Sequence, residues 1–208
     1  MERNPLKWPI QCISGVLVIF LLSIFTFIAY LLFPGNYSIF THWVSALGHP
    51  IYNPNGDIFF TLGFLFTGLA LFLFFGLMYK WYTDETWRKL LLIATQIFGF
   101  LTAYSLIMFG LYPGVLIIQH MFWARNFFAF FFIFIILTTI SLWTHPDFLK
   151  PVAYFAFIPI GIYSIFFFLI NIRQSLGINF LLQWLAFLSN FIFIALITYN
   201  YFKIAYPS

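Results

Sequence analysis

Residues 12–33, CISGVLVIFLLSIFTFIAYLLF, decide the fold. The run carries no charge, and as a helix rising ~1.5 Å per residue it is long enough to cross the ~30 Å hydrocarbon core of a bilayer. Its hydrophobicity is continuous rather than periodic, so no polar face is left for water, and helix follows from length and from the need to satisfy every backbone group internally. No small-residue cleavage pattern follows it, and the segment reads as a retained helix rather than a signal peptide.

Five further stretches of the same kind lie near 57–79, 89–112, 120–143, 152–172 and 179–202, between breaks marked by charge or by Pro and Gly. The expected fold is all-α: a polytopic membrane protein, one domain over 1–208, built as a six-transmembrane-helix bundle. Composition agrees, because a chain of 208 residues that is 63% hydrophobic and 7% charged holds more apolar sequence than a soluble core of that size buries. The 33 Phe residues suit lipid-facing and interhelical packing and specify no chemistry.

Charge orients the bundle. Arg3, Lys7, Lys80, Arg88, Lys89, Lys150 and Lys203 fall at one end, whereas the Pro34–Gly56 loop at the other end has no Lys or Arg. By the positive-inside rule both termini are expected in the cytoplasm, in an integral protein of the plasma or cell membrane. The net charge of +4 is then a topology signal, which excludes nucleic acid as a partner. Asn36-Tyr37-Ser38, an N-x-S sequon, lies in the loop expected outside. Tyr37 to Leu47 is expected to form a short interfacial helix anchored by Trp43. Cys12, the single cysteine, has no partner for an internal disulfide and reads as a membrane-interface thiol.

The expected outer half collects His42, Ser45, His49, Asp57, His120, Arg125, Asn126, Asn171, Arg173, Gln174 and Gln183. Polar groups converging between helix ends are the usual site of a bundle. Arg125 falls one to two turns below the surface, where a guanidinium needs a partner or water. Three solutions are open: a pair with Asp57, a lipid phosphate, or snorkelling to the interface. Arg173, at the end of the fifth helix, reads as an interfacial charge that can also meet an anion. His42, His49, His120 and Asp57 offer zinc-type ligands, but His42 and His49 stand ~10 Å apart on a helix and no H-x-x-x-H spacing occurs, so no metal or other cofactor is expected. Ser45 with a histidine and Asp57 supplies the parts of a nucleophilic triad without a G-x-S-x-G elbow, and Asp57 alone suits the dipole at the start of a helix.

Phe33-Pro34-Gly35-x-Tyr37-Ser38, Ser45-Ala46-Leu47-Gly48, Asn53-Pro54 and Gly63-Phe64-x-x-x-Gly68 resemble a family of six-helix membrane proteins catalogued as domain of unknown function 998. Gly110-Leu111-Tyr112-Pro113, His120 and Phe127-Phe128-Ala129-Phe130 form a second matching block. The resemblance spans the first four helices. It implies that Ser45 and His120 correspond to the family's serine and histidine and that Ala124 is its small residue one turn on. Gly114 stands where members often carry an acid, and Gln183 is followed by Trp184 rather than by a basic residue. More distantly the chain is similar to damage-regulated autophagy modulator-like families, some linked to lipid remodelling, which implies a lipid-facing role and no established activity.

Membrane lipids are thus the expected partners. The preferred reading is a binding or accessory protein whose outer cavity, lined by Ser45, His49, Asp57, His120 and Arg125 with Arg173, takes a lipid headgroup or another anionic amphiphile. The alternatives are an intramembrane lipid hydrolase or transferase, using Ser45 and His120 or a metal, and a small-solute transporter or channel.

Overall fold

The computed structural model describes residues 9–146, 148–171 and 177–205. They form helices α1 (Ile10–Leu31), α2 (Asp57–Gly76), α3 (Thr86–Leu111), α4 (Ile117–Thr144), α5 (Lys150–Phe155), α6 (Phe157–Asn171) and α7 (Ile178–Ala205), with 3-10 turns at Val44–Gly48 and Leu77–Trp81 and no strand among the described residues. Taking α5 and α6 as one span, six helices are long and apolar enough to cross a membrane. The six expected segments are therefore present, in an integral membrane type of fold.

The fifth is not the continuous helix expected over 152–172. It breaks between α5 and α6 because Pro159 has no N–H for the Phe155 carbonyl and its ring crowds that oxygen. The ladder resumes where the Ile160 N–H meets the Ala156 carbonyl at 3.1 Å.

Consecutive helices α1 to α4 pack side by side, α5 and α6 lean on α4, and α7 packs on α6 and returns to α1, closing a ring. Phenylalanines fill its axis. Phe64 of α2 stacks on Phe187 of α7 at 5.9 Å, and Phe134 of α4 meets Phe75 of α2 at 4.8 Å and Phe193 of α7 at 6.4 Å. Inside lipid, where burial between helices gains little over burial in acyl chains, close packing and interhelical hydrogen bonds hold such a ring. The Tyr163 hydroxyl and the Asn190 side chain form such a bond, 2.8 to 3.0 Å, between α6 and α7.

Lys80, Arg88, Lys89, Lys150 and Lys203 share one end, the basic end. There Lys150 donates to the carbonyls of Leu142, Trp143 and His145 at 3.3, 2.6 and 3.2 Å, satisfying orphan acceptors at the C-terminus of α4. At the same end α1 and α7 touch: a Cβ at Gly15 would overlap the Thr198 side chain, and Cys12 Sγ lies 3.8 Å from the Thr198 carbonyl.

The opposite end is covered by the 34–56 segment. Gly35, with φ 83°, turns the chain back over the bundle, a conformation that favours glycine. The helix expected over Tyr37–Leu47 does not form; the segment has only the Val44–Gly48 turn. Side-chain bonds to distant helices set its path instead. The fully buried Asn53 donates Nδ2 to the carbonyls of Ala29 and Leu47 at 2.9 and 2.8 Å, and the Val44 N–H donates to Gln183 Oε1 of α7 at 2.9 Å.

Candidate functional site

Between α1 and α7, beneath the covering segment, lies a groove of about 580 Å³. That is within the range of small-molecule sites, ~300–1,000 Å³. Leu22 and Phe27 of α1 face Phe187 and Phe191 of α7 across it, and Tyr37 and Trp184 close its upper end. Phe27 and Leu188, on its two lips, are exposed, so it opens sideways toward the surroundings of the bundle. The two helices meet at Gly15 and Thr198 and stand apart over the groove.

The upper end is polar and fixed. Trp184 Nε1 donates to the Tyr37 hydroxyl at 3.1 Å, which donates in turn to the Trp43 carbonyl at 2.9 Å. Phe33 and His42 pack on the Tyr37 ring, at 5.0 and 5.1 Å. Burial pushes the Tyr37 phenol well above its ordinary value, while the hydrogen bond from Trp184 acts in the opposite direction. The group therefore stays a neutral donor.

Thr26, in the groove wall, differs from the helical threonines that bond back to their own helix. Threonines at 95, 102, 139 and 198 return their hydroxyls to the carbonyl one turn back, at 2.8, 2.8, 2.6 and 2.7 Å. That is how a helical threonine is satisfied in lipid. Thr26 Oγ1 is buried and has no such partner, as is true of Thr67 and Thr138 on α2 and α4, and of these three Thr26 lines the groove.

The residues singled out in the sequence lie elsewhere and are only partly gathered. His120 is buried on α4, its Nδ1 donating to the Tyr112 carbonyl at 2.7 Å and its ring 4.9 Å from that of Phe109. His49 stacks on Tyr52 at 4.2 Å, accepts the Ile51 N–H at 3.2 Å and covers Gly114. A side chain at 114 would overlap the His49 ring, which gives a steric reason for glycine there. Both histidines lie at the α3–α4 connection, His120 through the Tyr112 carbonyl and His49 over Gly114. His42 belongs to the Tyr37 cluster, accepting the Ser38 N–H at 3.4 Å and meeting Thr41 Oγ1 at 2.8 Å. Ser45 is half-buried on the 3-10 turn, and among the described residues its hydroxyl bonds to no histidine.

Asp57 opens α2 and accepts the Ile58 N–H at 2.8 Å, the dipole-complementing role of an early acid. It does not pair with Arg125: among the described residues the ion pair present is Arg88 with Glu85, at 3.2 Å. Arg125 is exposed, on the α4 face of Ile118, Met121 and Phe122 and away from buried His120 and Ala124. Of the residues expected to share a cavity, the structure places His49 and His120 at the α3–α4 connection, Asp57 at the start of α2 and Arg125 on an outward face, with Ser45 on the 3-10 turn. Arg173 and Gln174 lie outside the described residues. Among the described residues no three His, Cys, Asp or Glu side chains converge as metal ligands.

Sequence reasoning missed Thr26, Tyr37 and Trp184 as a group. The usable signal was a threonine, a tyrosine and a tryptophan expected near one interface on the first helix, the first loop and the last helix. No known family, characterised protein or solved structure matches the chain. Function is therefore read from the groove's own chemistry.

Proposed function

We propose that this protein is a lipid-binding membrane protein that holds one amphiphile in the groove between α1 and α7. On this reading both termini are cytoplasmic and the groove faces the outer leaflet of the plasma or cell membrane. The shared six-helix plan with domain of unknown function 998 proteins is part of the same proposal. Hydrocarbon packs against Leu22, Phe27, Phe187 and Phe191, and the polar part of the molecule sits at the level of Thr26, Tyr37 and Ser38. The observation that carries this is Thr26. A buried hydroxyl without a partner costs about 1–3 kcal/mol, and rotation about χ1 that turns it to an ester carbonyl or hydroxyl of a lipid entering sideways relieves that cost.

The headgroup chemistry differs from an anion clamp. The described walls of the groove contain neither Lys nor Arg, so selection there is by hydrogen bonding. A glycerolipid ester or a lipid alcohol meets it.

Native mass spectrometry of protein released from nanodiscs tests the proposal. From nanodiscs of phosphatidylcholine alone, wild type is expected to retain one lipid, Thr26→Val to retain less, and Thr26→Trp, which obstructs the groove, to retain none. Equal retention in all three would refute it.

A further inference from the structure

A second recess, of about 220 Å³, opens at the basic end, where the 77–81 turn, the segment after α4 and the last turns of α7 meet. It is independent of the groove, at the other end of the bundle. Its floor is aromatic: Trp81 is buried, stacks on Tyr201 at 5.9 Å and meets the Phe148 ring edge-on at 4.9 Å. The floor is also fixed. Trp81 Nε1 donates to Gln11 Oε1 at 3.0 Å, and the Leu149 N–H donates to Asn200 Oδ1 at 2.6 Å, tying the wall after α4 to α7.

The polar side of the recess is formed by Lys80, Thr83 and His145. Thr83 Oγ1 is buried without a hydrogen-bond partner. Lys80 is exposed, and the Glu85 carboxylate, further along the same connection, is engaged by Arg88 at 3.2 Å and by Trp87 Nε1 at 2.9 Å. Asp147, adjacent in sequence to two lining residues, is outside the described residues.

We infer that this recess binds a phosphate ester, with the headgroup of an anionic phospholipid in the leaflet at the basic end as its occupant. Lys80 supplies a mobile point charge for the phosphate, and the Thr83 hydroxyl, turned into the recess by rotation about χ1, donates to one of its oxygens. The aromatic floor takes the glycerol edge at the interface, where amphipathic rings sit. The volume is below the ~300 Å³ of sites that enclose whole small molecules, so it suits a headgroup whose chains remain in the bilayer. Anionic lipid is already attracted to this end by its basic residues, and the recess adds a directional contact to that general field.

The full chain in phosphatidylcholine nanodiscs doped with phosphatidic acid or phosphatidylglycerol provides the test, with bound lipid counted by native mass spectrometry. Wild type is expected to enrich the anionic lipid. Lys80→Gln should lower the enrichment by more than the roughly fivefold worth of one basic residue near a charged surface. Thr83→Val should lower it too, without lowering the melting temperature of lipid-free protein, since it removes only an unsatisfied hydroxyl. Lys203→Gln is the control, because it removes a charge at the same end from a residue that does not line the recess. In detergent, a rise in melting temperature with inorganic phosphate alone, lost in Lys80→Gln and Thr83→Val, would support the site with free phosphate as its source. Equal losses in Lys80→Gln and Lys203→Gln with Thr83→Val inert would overturn the inference, leaving only diffuse attraction. So would the absence of both enrichment and a phosphate response.

Discussion

The Trp184 indole N–H donates to the Tyr37 phenol oxygen at 3.1 Å, joining α7 to the covering segment across 147 residues of sequence. The same phenol donates to the Trp43 carbonyl, so one hydroxyl ties the segment to itself and to the last helix. Trp184→Phe and Tyr37→Phe are each expected to cost about 1–2 kcal/mol. The double variant should cost less than the sum, because both remove the same bond. Thermal unfolding in detergent measures this; strict additivity would show that the contact carries no energy.

The pH response of that joint has a definite sign. Burial raises the Tyr37 pKa above its unfolded value, so its contribution to stability is fully present below the unfolded pKa of about 10 and is lost as pH rises through the folded value. Between neutral pH and about 9, wild type and Tyr37→Phe should show parallel stability. Above about 10 the wild type should lose the larger increment. A difference that varies between pH 6 and 8 would contradict this assignment.

Asn53 holds the covering segment from beneath. Its Nδ2 serves the Ala29 and Leu47 carbonyls together, so Asn53→Ala strands two buried acceptors and should cost about 2–4 kcal/mol. Asn53→Asp, nearly the same shape, should also destabilise, since a carboxylate oxygen would face those carbonyls. Limited proteolysis of the 34–56 segment reads both; unchanged protection in either variant would remove Asn53 from this role.

Gly15 sets how closely α1 and α7 approach. A Cβ there overlaps Thr198, and overpacking of that kind costs about 1–3 kcal/mol. Gly15→Val should lower stability and alter lipid retention in the groove, while Gly161→Val, on an α6 surface with nothing within 4 Å of the new Cβ, should do neither. Equal effects of the two would show that the contact does not set the groove.

Sidedness is tested by labelling. With Cys12 replaced by Ala, cysteines placed at Ser38 and Asp84 should react with impermeant reagents from opposite sides of the membrane. Reaction from one side only would collapse the assignment of ends.

The six spans were legible because length and uninterrupted apolarity act locally, and each segment reveals itself without its neighbours. The break before α6 was also written locally, in Pro159, but high mean hydropathy masks a lost hydrogen bond. The direction of Arg125 was harder. On a helix with apolar residues all round, no polar stripe marks the inward face, and one residue separates buried Ala124 from exposed Arg125. The groove was not legible at all. It arises where the first and last helices close a ring, and that closure depends on the fit of Gly15 to Thr198 and of Tyr37 to Trp184, contacts between residues far apart in the chain.

A side-chain-resolution electron cryomicroscopy map of the protein in a lipid nanodisc tests the groove most directly. Elongated density between α1 and α7, ending within hydrogen-bonding distance of Thr26 Oγ1 below Tyr37, is the predicted result. A groove closed by its own side chains, or ordered lipid seated instead at His49, His120 and Arg125, would contradict it.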